Sequence, residues 1–157
     1  LPAIRRELGL PVSAYLFVDA GLPQDGNSLL DNFPDPEGVE QFRQAAVDGF
    51  LPPWTAEDLR EVIPADEVRD RFASELRPLP LKVYEEPLPV FTGWPDAPCG
   101  YLRFGDNPAY DGAFRQAQER AFETLRLEGA HFHMLVDPQE VAEGLVELAR
   151  RLRALPA

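Results

Sequence analysis

The chain has 157 residues, of which 45% are hydrophobic, and a formal net charge of −12 at pH 7. This length suffices for one domain with a buried core, and the charge argues against nucleic acid or an anionic membrane as a partner, because both would repel it. One cysteine permits no internal disulfide, so we expect a reducing, cytoplasmic location. No apolar run approaches the roughly 20 residues of a membrane helix.

The chain starts with the pattern of a helix end and then a short apolar strand. Residues 1–8 are closed by Gly9, a typical C-terminal helix cap, and a chain that starts inside a helix is expected to be an excerpt. Residues 14–18 form an almost wholly apolar run, which is typical of a buried strand in a parallel sheet. Asp19 follows at the carboxyl end of this strand.

Residues 25–95 are predicted to be mostly helical and to interrupt the strands. Asp35-Pro36 opens a first helix with a cap and a proline at its first position. Thr55 and Asp58 form a capping-box-like start for a second helix, and Pro64 either ends that helix or starts a third one. The proline-rich residues 79–98 are predicted to be an extended connection.

Strands and helices then alternate to the end of the chain. Residues 99–104 and 122–127 are predicted strands, and between them a helix capped by Asn107-Pro108 includes Ala121 on its inner face. Asp137-Pro138 starts the last helix. Alternating strands and helices predict an α/β fold with a parallel sheet and right-handed crossovers.

A histidine loop lies between the last strand and the last helix. Gly129 follows the strand, His131 comes two residues later, and Asp137-Pro138 opens the helix. Doubly wound sheets carry their sites on such loops, at the carboxyl ends of the strands. An imidazole there has the chemistry of a general base. The sequence contains no G-x-S-x-G, so the nucleophile that this base would serve is missing.

This order of elements resembles the C-terminal part of the α/β-hydrolase fold. The resemblance makes residues 14–23 the sixth strand and its exit loop, 25–95 an inserted helical cap or lid, 99–105 the seventh strand, and 122–133 the eighth strand with the histidine loop. It implies a doubly wound, mostly parallel sheet whose core comprises residues 1–24 and 96–157. The first five strands and the nucleophile elbow would precede Leu1.

The resemblance also implies a catalytic triad with His131 as base. The family's acid usually follows the seventh strand in a Gly-Asp-x-Asp pattern, but here Pro108 stands where the second Asp would be. Asp106 and Asp111 stay possible as the acid. Asp19, at the tip of the sixth strand, is the favoured alternative because of its place at a strand end.

Five further residues have competing interpretations. His133 would line the substrate pocket, although His131, His133 and Asp137 together resemble a zinc ligand set. Cys99 begins a strand and is expected to be a buried, unreactive side chain. The aromatic residues Trp54 and Trp94 are expected to wall an apolar substrate pocket, whereas Phe50 is expected in the core of the cap.

The function expected of the intact protein is that of a serine hydrolase acting on a small-molecule ester, amide or similar acyl bond, without a cofactor. This chain alone is predicted to be inactive. The alternative is a non-catalytic binding or interaction protein built on the same fold. Residues 14–18 would form an unpaired edge strand, so the chain is expected to bind an N-terminal half of the fold or a second copy of itself.

Overall fold

The computed structural model describes residues 1–33, 35–105 and 107–154. Its elements, in chain order, are α1 (Pro2–Leu8), β1 (Tyr15–Val18), a 3₁₀ turn (Leu30–Asn32), α2 (Pro36–Gln44), β2 (Phe50–Leu51), α3 (Asp66–Glu75), β3 (Leu79–Pro80), α4 (Lys82–Glu85), β4 (Cys99–Phe104), a 3₁₀ turn (Pro108–Tyr110), α5 (Asp111–Glu119), β5 (Glu123–Leu127), α6 (His133–Val136) and α7 (Pro138–Ala154). No helix in these ranges is both long and apolar enough to cross a bilayer.

Within the described residues, the main sheet has three parallel strands in the order β1-β4-β5. Tyr15 on β1 lies beside Cys99 on β4, and Gly100 on β4 lies beside Glu123 on β5. The predicted α/β class and the parallel arrangement are therefore confirmed. All three strands end at the same edge, so the segments after Val18, Phe104 and Leu127 meet there.

Helices cover both faces of this sheet. On one face, Phe17 and Tyr101 pack with Ala117 of α5. On the other face, Leu102 and Phe104 pack with the apolar stripe of α7, which includes Val141 and Leu148. Burial on both faces explains why β1 and β4 are apolar almost throughout rather than alternating with polar residues.

The segment between β1 and β4 is joined at its base by hydrogen bonds. The amide of Val90 donates to Asp25 Oδ1 over 2.9 Å, and the amide of Leu88 donates to the carbonyl of Asn27 over 2.8 Å. These bonds bring the two ends of residues 25–90 together, so this part of the segment starts and ends at one place. That these residues form a separate cap domain stays a prediction.

Two local predictions in this segment are wrong. The Thr55–Asp58 hydrogen bonds form as expected, but residues 55–63 make a series of turns rather than a helix. Burial of Leu59 and Ile63 holds these turns in place, because tertiary packing decides the local conformation of so short a segment. Residues 79–98 are not wholly extended, because they include the helix α4. Their extended part includes the strand β3, which pairs with β2.

The end of α5 also differs from the prediction. The helix ends at Glu119, and Ala121 lies beyond it with a φ of 55°. The predicted helices that begin near Pro36, Asp66 and Pro138 are confirmed.

Candidate active site

Asp19 and His131 meet at the carboxyl edge of the parallel sheet. Asp19 directly follows β1, and His131 lies on the loop after β5. Nδ1 of His131 lies 2.9 Å from Oδ2 of Asp19, whose side chain is fully buried. The two residues are 112 positions apart in sequence, and the pairing of β1, β4 and β5 brings them together.

The contact determines which nitrogen of His131 is available for chemistry. A carboxylate can only accept a hydrogen bond, so Nδ1 carries the proton that is donated to Asp19. Nε2 of the neutral ring is then free to accept a proton from another group. The side chain of His131 is 29% exposed, so a reactant can approach it.

The backbone of Asp19 is in an unusual conformation. Its φ is 41°, in the left-handed region that few residues other than glycine adopt. Its amide continues the strand ladder by donating to Leu102, while the amide of Phe104 donates to Oδ1 of Asp19 over 3.3 Å. The next residue, Ala20, is held by the Tyr101 hydroxyl, which donates to its carbonyl and accepts from its amide. Such strain is typical of residues that a fold holds for function.

Arg103 provides a buried positive charge beside Asp19. Its side chain is 2% exposed, and one guanidinium nitrogen lies 3.6 Å from Oδ1 of Asp19. The other terminal nitrogen donates to the carbonyl of Asn107 and to Asp111 Oδ1, each over 2.7 Å. A buried carboxylate needs such compensation, because burial without a partner disfavours its charged form.

Tyr110 packs on the imidazole of His131. Their ring centroids are 4.9 Å apart with an angle of 18° between the planes, and the Tyr110 hydroxyl lies 3.4 Å from Nε2. Burial, together with the charge of Asp19, raises the pKa of the Tyr110 phenol, so the hydroxyl keeps its proton at neutral pH. The stacked Tyr110 ring holds the plane of the His131 imidazole in one orientation.

Two glycines let the histidine loop lie close to the end of β4. Gly105 and Gly129 have φ values of 46° and 120°. A β-carbon at Gly105 would clash with the carbonyl oxygen of Gly129, and one at Gly129 would clash with the ring of His133. Nε2 of His133 lies 2.6 Å from Oε2 of Glu140, and its ring contacts Phe104 edge-on. His133 therefore packs against the backbone of the histidine loop at Gly129 and stabilises that loop.

The two predicted pocket tryptophans lie in different places. Trp54 packs at 5.5 Å against Phe132, which itself contacts the His131 ring at 4.9 Å. Trp94 instead packs against Tyr15 and Phe17. Tyr15 begins β1, about four residues and 13 Å from the strand end that carries Asp19. The structure thus places Trp54 one ring away from His131, against Phe132, and Trp94 against the side chains of β1.

The remaining candidate residues are accounted for as follows. Asp106 lies outside the described residues. Asp111 pairs with Arg103, and Asp137 caps α7 by accepting from the amide of Glu140. Phe50 is exposed on β2 rather than buried as core. Burial raises the pKa of the Cys99 thiol to about 11, which agrees with an unreactive side chain.

The two imidazoles do not act as a pair. His131 is bonded to Asp19 and His133 to Glu140, so each ring has a different carboxylate partner. Among the residues that the structure describes, no group of three or more His, Cys, Asp or Glu side chains is arranged to hold a metal ion.

Sequence reasoning missed Arg103, Tyr110 and Phe132. The signal for Arg103 was present, since a charge within the apolar run of β4 needs a buried partner. Phe132 is adjacent to His131 in the sequence. Tyr110 gave no such signal, because its contact with His131 depends on how the turn after β4 folds over the sheet edge.

No protein-family model and no curated protein sequence matches this chain.

Proposed function

We propose that this chain is the C-terminal portion of an α/β-hydrolase-type serine hydrolase that cleaves an ester, amide or similar acyl bond. The observation that carries the proposal is the 2.9 Å contact between Nδ1 of His131 and the buried carboxylate of Asp19. A partly exposed histidine with Nδ1 held by a carboxylate has the arrangement of the base and acid of a catalytic triad. Its place at the carboxyl edge of a parallel sheet supports the same proposal.

In this proposal His131 moves protons at Nε2. Nε2 takes the proton of a serine hydroxyl as the oxygen attacks the acyl carbon, and then gives that proton to the leaving oxygen or nitrogen. Water then attacks the acyl–serine ester in the same way, with His131 as base, and the carboxylic acid is released. Asp19 stabilises the positive charge on the ring between these steps, and Arg103, 3.6 Å from Oδ1, helps to hold Asp19 in position.

The nucleophile would come from a segment outside these 157 residues. The serines of the chain are Ser13, Ser28 and Ser74. Ser13 precedes β1, at the end of the strand opposite His131. The Ser28 hydroxyl donates to Asp31, and the Ser74 hydroxyl donates to the carbonyl of Arg71. None of the three lies on a strand-to-helix elbow that would expose an activated oxygen.

The first test reads the coding sequence upstream of Leu1 and examines the longer protein. A strand followed by G-x-S-x-G supports the proposal. In that protein His131→Ala should lower turnover by several orders of magnitude, because nucleophile and base act as a unit. His133→Ala is the matched control and should cost far less, since that ring faces Glu140.

A fluorophosphonate probe provides the complementary measurement. It should label the upstream serine of the longer protein and leave Ser13, Ser28 and Ser74 unlabelled in the isolated chain. An upstream elbow without Ser, Cys or Asp would contradict the hydrolase and favour a non-catalytic binding protein. Labelling of a serine of the isolated chain that is lost in His131→Ala would contradict the missing nucleophile.

A further inference from the structure

Four aromatic rings, which we call the aromatic wall, form a connected set of contacts that reaches the imidazole of His131. They belong to Tyr110, Phe132, Trp54 and Phe72. Tyr110 and Phe132 each contact the imidazole, with ring centroids 4.9 Å away. Trp54 and Phe72 extend the surface by packing on Phe132 at 5.5 and 5.2 Å.

The outer part of this wall is incompletely covered. Trp54 is 52% exposed although it packs edge-on against Phe132. An indole that is fixed on one side and open on the other offers a flat apolar surface for a second ring. The other tryptophan, Trp94, is partly buried against Tyr15 and Phe17 and lines a separate cavity of about 530 Å³, so it reports on binding away from His131.

The charge of the site argues against an anionic ligand. The four rings contribute apolar surface and no positive charge, and the nearest carboxylate, Asp19, is already paired with His131 and Arg103. The chain as a whole carries a net charge of −12, so its field repels anions at low ionic strength.

We infer that the site at His131 takes a neutral ester or amide with an aromatic group, and that Trp54 selects this group by stacking against it. The ester or amide bond in this inference rests on the proposed function. The stacking contact with Trp54 does not depend on it. The aromatic group would lie on Trp54 and Phe132. Because Phe132 contacts the His131 ring with centroids 4.9 Å apart, the bond attached to that group would lie near the imidazole. An aromatic ring gains stacking energy on the indole of Trp54, whereas a saturated ring of the same size does not.

The test measures tryptophan fluorescence of the 157-residue chain in two single-tryptophan variants, at a concentration where light scattering detects no aggregate and circular dichroism shows a folded chain. Trp94→Phe leaves Trp54 as reporter, and Trp54→Phe leaves Trp94. Methyl benzoate is added to each, with methyl cyclohexanecarboxylate as the saturated analogue and benzoate as the anionic one. We expect methyl benzoate to change the emission of Trp54 saturably while Trp94 does not respond.

The saturated ester should bind about three- to tenfold more weakly than methyl benzoate, and benzoate should give no saturable change. Equal affinity for the saturated ester, binding of benzoate, a response at Trp94 alone, or no saturable response at all would overturn the inference. The measurement needs no nucleophile. A negative fluorescence result therefore does not contradict the hydrolase proposal. A negative fluorophosphonate result does not contradict the stacking contact at Trp54.

Discussion

At the scale of single residues, Asp19 combines three features that rarely occur together. It is fully buried, its backbone is left-handed, and its two carboxylate oxygens bond to groups from different parts of the chain. Forming this arrangement costs free energy, since strained backbone and buried charge are each unfavourable alone. Arg103 and His131 offset that cost, so Asp19, Arg103 and His131 form one interdependent unit.

The first prediction concerns the choice of acid. In the protein that carries the nucleophile, Asp19→Asn should lower turnover by about 10⁴-fold, because an amide at this position favours the wrong tautomer of His131. Asp111→Asn is the matched control. It removes a carboxylate that is also bonded to Arg103 but does not bond to His131, and should cost far less.

Two measurements check this prediction. Turnover compares the variants, and ¹⁵N spectra of labelled histidine report whether the proton of neutral His131 is on Nδ1, as the contact with Asp19 requires. A larger loss for Asp106→Asn than for Asp19→Asn would transfer the role of the acid to Asp106.

At the scale of elements, the end of β4 and the histidine loop depend on each other through Gly105. The Gly105 amide donates to the carbonyl of Leu127 at the end of β5, and Gly129 lies against it. Because both sides of this contact are backbone, neither can move away by changing a rotamer. The position of His131 is therefore coupled to the end of β4.

Gly105→Ala should destabilise the chain by about 2 kcal/mol or more, because alanine is strained at a φ of 46° and its methyl group would clash with Gly129. Gly112→Ala in α5 is the control. A β-carbon there meets nothing within 4 Å, so helix propensity should leave stability unchanged or raise it by up to about 1 kcal/mol. Urea unfolding followed by circular dichroism measures both. Equal stabilities for the two variants would contradict the coupling.

Some elements of the fold could be predicted from the sequence and others could not. The strands β1 and β4 and the helix α7 could be predicted, because burial imposes a pattern on consecutive residues. Residues 55–63 could not, since local caps and apolar spacing do not reveal whether turns or a helix bury Leu59 and Ile63 better. In the site, strand-end geometry favoured Asp19, and the strand–loop–helix context with its resemblance to a family histidine loop favoured His131. The structure brings the two side chains into contact. The contacts of Tyr110 and the different surroundings of Trp54 and Trp94 depend on long-range packing that no local pattern records.

At the scale of the whole molecule, the described sheet has an open edge at β1. Tyr15 and Asp19 direct their amides to β4, so the intervening residues Leu16 and Val18 direct theirs away from it. Beside this edge, Ile4, Leu8 and Leu10 are exposed, and a cavity of about 190 Å³ lies between α1 and β1. An apolar strand edge next to exposed apolar side chains is a template for association.

We therefore predict that the chain is not a stable free monomer. It should bind an N-terminal half of the fold, pair with a second copy, or aggregate, and association should strengthen with salt because screening reduces the repulsion of a −12 charge. The double variant Ile4→Glu/Leu8→Glu should weaken association by placing charge at the edge. Val146→Glu is the control, because Val146 is 48% exposed like Leu8 but lies on α7. Light scattering coupled to size-exclusion chromatography measures the mass of each variant. A monodisperse 17.6 kDa monomer with a cooperative melt would contradict the prediction and show that the edge of β1 needs no partner.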